Sequence, residues 1–156
     1  MLTLESFKLL GAKPGRLTPG TGGVPDITFQ EVADVLASVP YEVSVYARLI
    51  YGQEWHLNGT LRQVLLDQLH TDDDETAASN VDYWPRIIQI AVGTASSAYH
   101  LTASQKAVAM GVKWWHTGHE QDYQAAASIL DVYDAEIRIA LGKWNEKQRE
   151  DNASNV

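Results

Sequence analysis

From Tyr123 onward the chain repeats an apolar residue every three or four positions: Tyr123, Ala126, Ala127, Leu130, Tyr133, Ile137, Ala140, Leu141 and Trp144. With 3.6 residues per turn, those steps put every one of these side chains on the same face of a helix. The spacing predicts a long amphipathic helix starting near Glu120 and running towards Glu150. Glu146-Lys147-Gln148-Arg149-Glu150 is expected to fray into solvent. A helix with such a stripe must bury it against other helices, and no segment shows the strict alternation that a half-buried strand requires. The expected fold class is therefore all-α: a compact multi-helix domain with a helix-turn-helix and a long C-terminal helix, preceded by a flexible Gly/Pro-rich arm.

Helix starts are marked by capping boxes, in which a Ser or Thr and a Glu or Gln three residues later satisfy each other's backbone N–H groups. Thr28 with Glu31, Thr102 with Gln105 and Thr117 with Glu120 fit the pattern, and Ile27 and Val32 stand at the staple positions of the first. Phe29, Val32, Ala33 and Leu36 follow at helical spacing, as do Val43, Ala47 and Ile50 after Pro40, with Gly52 suited to a C-terminal cap. Asn58-Gly59 reads as a turn before a short helix carrying Leu61, Val64, Leu65 and Leu69. Pro85 suits the first turn of a helix that buries Ile87, Ile88, Ala91, Val92, Ala95 and Ala98. The small residues of Gly93–Ala98 would let a neighbouring helix approach closely. Ala107, Val108, Met110 and Val112 follow the second box as apolar positions. Gly and Pro dominate 11–25, which argues against regular structure there. The resulting organisation is a flexible arm over 1–25, a helical body over 26–150 with a helix-turn-helix at about 102–130, and a disordered tail over 151–156.

Composition narrows the function classes. The chain of 156 residues suits one domain and has 45% hydrophobic and 21% charged residues, an ordinary globular balance. It has no cysteine, which excludes disulfides, thiolate metal sites and a cysteine nucleophile and makes the cytoplasm the expected location. Charged residues interrupt every candidate membrane span, and the N-terminal stretch lacks the basic and apolar regions of a signal peptide. Net charge is −8, yet residues 1–25 hold Lys8, Lys13 and Arg16 against Glu5, a net +2 that leaves −10 for the remainder. Any nucleic-acid contact must then be a local basic patch on an acidic body.

Two clusters are candidates for chemistry. His116-Thr117-Gly118-His119-Glu120 brings two imidazoles and a carboxylate close in sequence, as a metal centre requires, and Asp72–Asp74 could add hard oxygen ligands. A small metal-dependent helical enzyme built on His116, His119 and Glu120 is the alternative functional class, although the HExxH order is missing. Carboxylate pairs such as Asp131 and Asp134 arise by chance on a polar helix face and are weak evidence for acid–base work. The second cluster is a helix-turn-helix, either Thr28–Leu49, where Arg48 is the only cation in the second helix, or Thr102–Leu130. In the latter, Lys106 and Lys113 stand before the turn, while Gln121 and Gln124 near the next helix start could read adenine edges. Glu120 and Asp122 would repel phosphates there. A third possibility is an interaction protein that docks through the long C-terminal helix.

Several patches also resemble a known family. Leu4-Glu5-Ser6 with Lys8 and Lys13, then Gly20-Thr21-Gly22 and Ile27-Thr28 leading to Val35, are similar to the start of the lambdoid phage antitermination Q proteins. Ile87–Ser104 resembles their helix before a central insert, and Lys106-Ala107-Val108-Ala109-Met110 through Leu130-Asp131-Val132-Tyr133 resembles their closing helix-turn-helix and final helix. The match touches about half of the chain, in the family's order. The family's cysteine-rich zinc insert is missing, so the resemblance implies a reduced member without zinc or any other cofactor. It implies a non-catalytic late-gene antiterminator in the host bacterial cytoplasm. Such a protein binds duplex DNA near a late promoter, loads onto RNA polymerase holding its sigma factor, and suppresses pausing and termination. No membrane is involved, and a homodimer on DNA stays open. The residues expected to contact DNA are Lys106, Lys113, His119, Gln121 and Gln124, with Arg86, Lys13 and Arg16 adding phosphate contacts.

Overall fold

The computed structural model describes residues 1–11, 29–69, 82–97 and 100–154. Among these residues the chain is helical and has no strand. Its helices are α1 (Lys8–Gly11), α2 (Phe29–Ala37), α3 (Tyr41–Ile50), α4 (Asn58–Leu69), α5 (Tyr83–Ser96), α6 (Ala103–Met110) and α7 (Thr117–Ser154), with 3-10 turns at Leu4–Phe7 and Trp55–Leu57. The chain divides into a terminal unit, Met1–Leu57 with Tyr133–Val156, and a central unit, Asn58–Val132. No helix is long and apolar enough to cross a membrane among the described residues.

Most of the α7 stripe is buried as its spacing predicts, while Ala127, Ala140 and Trp144 at its margins are half-buried. Tyr123, Ala126 and Leu130 enter the core of the central unit, and Tyr133, Ile137 and Leu141 that of the terminal unit. The helix continues through Glu146–Glu150, where the sequence suggested fraying, and on to Ser154. Glu, Lys, Gln and Arg are strong helix formers, and no Gly or Pro interrupts this stretch.

In the terminal unit, residues 1–11 are not an arm. Leu2 and Phe7 are buried, and Ser6 Oγ accepts from the Thr3 N–H at 3.0 Å to start the first turn. Asn145 on α7 holds this segment through a reciprocal pair: its Oδ1 accepts from the Leu2 N–H and its Nδ2 donates to the Leu2 carbonyl, both at 2.9 Å. The rest of the expected arm, Lys13 and Arg16 included, lies outside the described residues, as does the Thr28 capping position. On α2 the buried residues are Val32 and Val35, whereas Phe29, at the open first turn, is 59% exposed. Helix α3 is buried over most of its circumference, by Val43, Val45, Tyr46, Ala47 and Leu49. Phe7, Val32, Val35, Val43, Leu49 and Ile137 are each essentially inaccessible to water, and such side chains contribute about 1.5–3 kcal/mol apiece.

Gly52 follows α3 for a reason of space. A Cβ there would lie 2.5 Å from the Arg48 carbonyl oxygen and 3.0 Å from that of Phe7. The left-handed residue of this turn is its neighbour Gln53, at φ 57. The turn is closed by Arg48, which donates from Nε and a terminal nitrogen to both oxygens of the buried Glu54 carboxylate, each at 2.8 Å. Asp134 on α7 collects three donors. Tyr46 donates to it at 3.0 Å, Tyr51 donates to the same oxygen, and Arg138 Nε donates to the other at 2.6 Å. Burial pushes the Asp134 carboxyl up, but the hydrogen bonds from Tyr51, Arg138 and Tyr46 and the Arg138 charge outweigh it and hold the group below its ordinary range.

In the central unit α5 packs on α4 and α6. Leu61 and Leu65 of α4 and Ile87, Ile88, Ile90, Ala91 and Val92 of α5 form the buried surface. Asn58 and Gly59, read as a turn, are instead the first residues of α4, with the 3-10 turn Trp55–Leu57 making the bend before them. Gly93 is exposed with no neighbour near a would-be Cβ, so the small run does not serve close helix approach at that point. Its hydroxyls bond backwards instead. Thr94, Ser96 and Ser97 donate to the carbonyls of Ile90, Val92 and Gly93 at 2.8–3.0 Å, and α5 ends there.

Candidate nucleic-acid interface

The segment that contains the expected helix-turn-helix lies wholly in the central unit. Helix α6 opens on the capping box read from sequence. Thr102 Oγ1 accepts from the Gln105 N–H at 3.2 Å, and Gln105 Oε1 accepts from the Thr102 N–H at 2.9 Å. It closes on Gly111 at φ 74, with the Gly111 N–H donating to Val108 and the Val112 N–H to Ala107. This left-handed closure satisfies carbonyls that a helix end otherwise leaves open, and glycine enters that region without a Cβ penalty. Arg86 of α5 donates from Nη1 to the Met110 carbonyl at 2.9 Å. A cation at the C-terminal end of α6 is also favoured by the helix dipole.

The connection 111–116 leads into α7, whose start differs from the expected capping box. The Glu120 N–H donates to the His116 carbonyl, so His116 is the capping position and Thr117 already lies within the helix. His119 takes the reciprocal role. Its Nδ1 accepts from the His116 N–H at 3.1 Å, which puts any proton of the neutral ring on Nε2. Glu120 is not available to reach back, because Trp115 Nε1 donates to its Oε2 at 2.6 Å and Gln124 Nε2 to its Oε1 at 3.0 Å. Those two hydrogen bonds, with the Lys106 charge, hold the Glu120 carboxyl below its usual range against the opposing effect of burial.

Lys106 turns inward. Its Nζ lies 3.9 Å from the Tyr123 ring centroid, 5.6 Å from that of Trp115 and 3.4 Å from Glu120 Oε2, and its side chain is only 12% exposed. The chain's own lysine thus fills an aromatic cage. His119 extends the stack, with ring centroids 5.3 Å from Trp115, 6.0 Å from Tyr83 and 5.4 Å from His116. Tyr83 donates to Asp122, and burial together with that bond raises the Tyr83 hydroxyl well above its ordinary value.

The residues expected to contact DNA therefore separate into two groups. Lys106, His119 and Arg86 are committed to internal partners, and Gln124 is bonded to Glu120. Lys113 and Gln121 are exposed. Glu120 and Asp122, which sequence counts against phosphate binding, are both engaged by donors of this unit. In the other candidate segment, Arg48 is committed to Glu54. The metal alternative finds no geometric support, since no group of three or more His, Asp or Glu among the described residues is placed to hold an ion. His119 Nδ1 and both Glu120 oxygens already have partners, and Asp72–Asp74 lie outside the described residues.

Two features escaped the motif reading. Residues 83–119 contain Arg86, Lys106 and Lys113 and not one Asp or Glu, a net +3 that leaves −11 for the rest of the chain. A count of acids along the chain would have found it. The second is Trp114, 66% exposed beside the exposed Lys113 and His116, although Trp115 next to it is anchored. Alternating burial within one short connection has no signature in sequence. Comparison with family models, curated proteins and solved structures returned no match. The functional reading rests on this geometry and on the patches of resemblance.

Proposed function

We propose that the central unit binds duplex DNA through a helix-turn-helix formed by α6, its connection and the start of α7, and that the protein is a phage late-gene transcription antiterminator. In this reading the protein is non-catalytic. It settles near a late promoter, loads onto RNA polymerase holding its sigma factor, and suppresses pausing and termination. The observation that carries the reading is the acid-free stretch from Tyr83 to His119 within a chain of net charge −8, with Lys113 exposed on a connection braced at both ends. Local removal of carboxylates lets the exposed Lys113 meet a phosphate, whereas a uniformly acidic surface would repel it. Lys113 supplies a phosphate contact and Gln121 is the candidate base reader. Lys106, His119 and Arg86 hold the connection in shape. Ile87–Ser104 and Lys106–Tyr133, two of the patches that resemble the antitermination family, fall on α5, α6 and α7.

The test is fluorescence anisotropy with promoter-proximal duplex DNA from the gene's own neighbourhood, followed by transcription through a terminator. Salt-dependent binding and increased read-through are expected. Absence of any salt-dependent affinity would remove the proposal.

A further inference from the structure

Trp114 has no role in the core, and its setting suits a nucleobase. It is 66% exposed. Its neighbours in the chain are held on both sides: the Val112 N–H by the Ala107 carbonyl at 3.0 Å, the Trp115 indole N–H by the Glu120 carboxylate, and the His116 N–H by His119 Nδ1. The ring is therefore displayed from a connection that needs little ordering on binding, which lowers the entropic cost of contact. Lys113 precedes it, His116 follows two residues later, and no acidic residue occurs between Tyr83 and His119. An aromatic face with a lysine beside it, on a loop without acidic residues of its own and with the nearby Glu120 carboxylate already taken up by Trp115, Gln124 and Lys106, fits single-stranded nucleic acid, in which the bases offer π-faces and the backbone offers phosphates. A protein partner with an apolar pocket would gain nothing from the excluded acids, so the charge pattern selects the nucleic acid.

We infer that Trp114 stacks on an unpaired base of DNA bound by the central unit, so that the protein favours a locally melted duplex over an intact one. This rests on the reading of that unit as a DNA-binding surface. Stacking of one base on one aromatic residue corresponds to about a tenfold change in affinity when the ring is removed.

The experiment compares an intact promoter-proximal duplex with the same duplex carrying a short mismatched bubble, for the wild-type chain and Trp114→Ala. The exposed position leaves the core untouched, and circular dichroism verifies an unchanged fold. The wild type is expected to bind the bubble more tightly. Trp114→Ala should lose about tenfold on the bubble and little on the duplex. Bubble DNA should quench tryptophan emission in the wild type and less in Trp114→Phe. If the wild type binds both probes alike and Trp114→Ala changes neither, the stacking role is overturned while the DNA-binding reading stands. Equal losses on both probes also overturn it, because the ring would then contact paired DNA. If the wild type binds neither probe in a salt-dependent manner, the DNA-binding reading itself fails.

Discussion

Replacing Lys106 by Met separates scaffold from contact. Methionine keeps most of the lysine stem and removes the charge. The lost interaction is dominated by Nζ over Tyr123 at 3.9 Å, on a side chain only 12% exposed, with Trp115 more distant at 5.6 Å. A cation–π contact ranges from about 0.5–1 kcal/mol at exposed sites to about 2 kcal/mol when desolvated, and this one lies towards the upper end. The Glu120 pair adds at most about 0.5 kcal/mol, because the Glu120 side chain is 41% exposed and solvent screens it. The expected loss is therefore about 2 kcal/mol, or a fall in Tm of about 4–8 °C for a chain of this size. Lys113→Met, at an exposed site, should stay within about 0.5 kcal/mol of the wild type. DNA binding should respond in the opposite sense. Lys113→Met reduces the slope of log affinity against log salt by about one, and Lys106→Met leaves it unchanged. Thermal denaturation and anisotropy across a salt series measure the two effects. A Lys106→Met protein with wild-type Tm and a reduced salt slope would refute the inward cage and make Lys106 a phosphate contact.

Asp134 ties acid sensitivity to α7. Its carboxyl is held below its unfolded value, so its contribution is fully present above the ordinary carboxylate range and is lost as pH falls through the depressed folded value. Asp134→Asn should be less stable than wild type at about pH 7, by about 1–3 kcal/mol, with the gap narrowing towards about pH 3. Urea unfolding across that interval checks this, and a gap that widens on acidification would refute it. The two structural glycines should rank by what a Cβ meets. Gly52→Ala pushes against two backbone carbonyls and should lose about 2–3 kcal/mol. Gly111→Ala incurs about 1 kcal/mol for its left-handed backbone, and its Cβ meets the far end of the flexible Arg86 side chain, whose shift away from the Met110 carbonyl adds about 0.5–1 kcal/mol. The reverse order in urea unfolding would show that the close approach at Gly52 is misjudged.

The legible parts of this chain were those governed by short spacing. The Thr102–Gln105 box forms as read, because both partners lie within one turn and nothing else competes for them. The Thr117–Glu120 box matches the same pattern and does not form, because Trp115, Gln124 and Lys106 claim the carboxylate and His119 takes over the cap. Val108 satisfies the apolar count of α6 yet is 80% exposed, since a short helix has room for few buried positions and Ala107 and Met110 take them. For the candidate site, sequence located the segment but not the direction of its side chains. Lys106 and Lys113 look equivalent in a list of cations, and only one of them faces solvent.

What the sequence determined by itself is helicity and the face each long helix buries. Those follow from a local period, and the α7 stripe from Tyr123 to Leu141 is the clearest case. The tertiary structure decided which charges are available. The fate of a lysine or glutamate depends on what lies within a few ångströms across the fold. For Lys106 that is the ring of Tyr123, seventeen residues along the chain, and for Lys113 it is water.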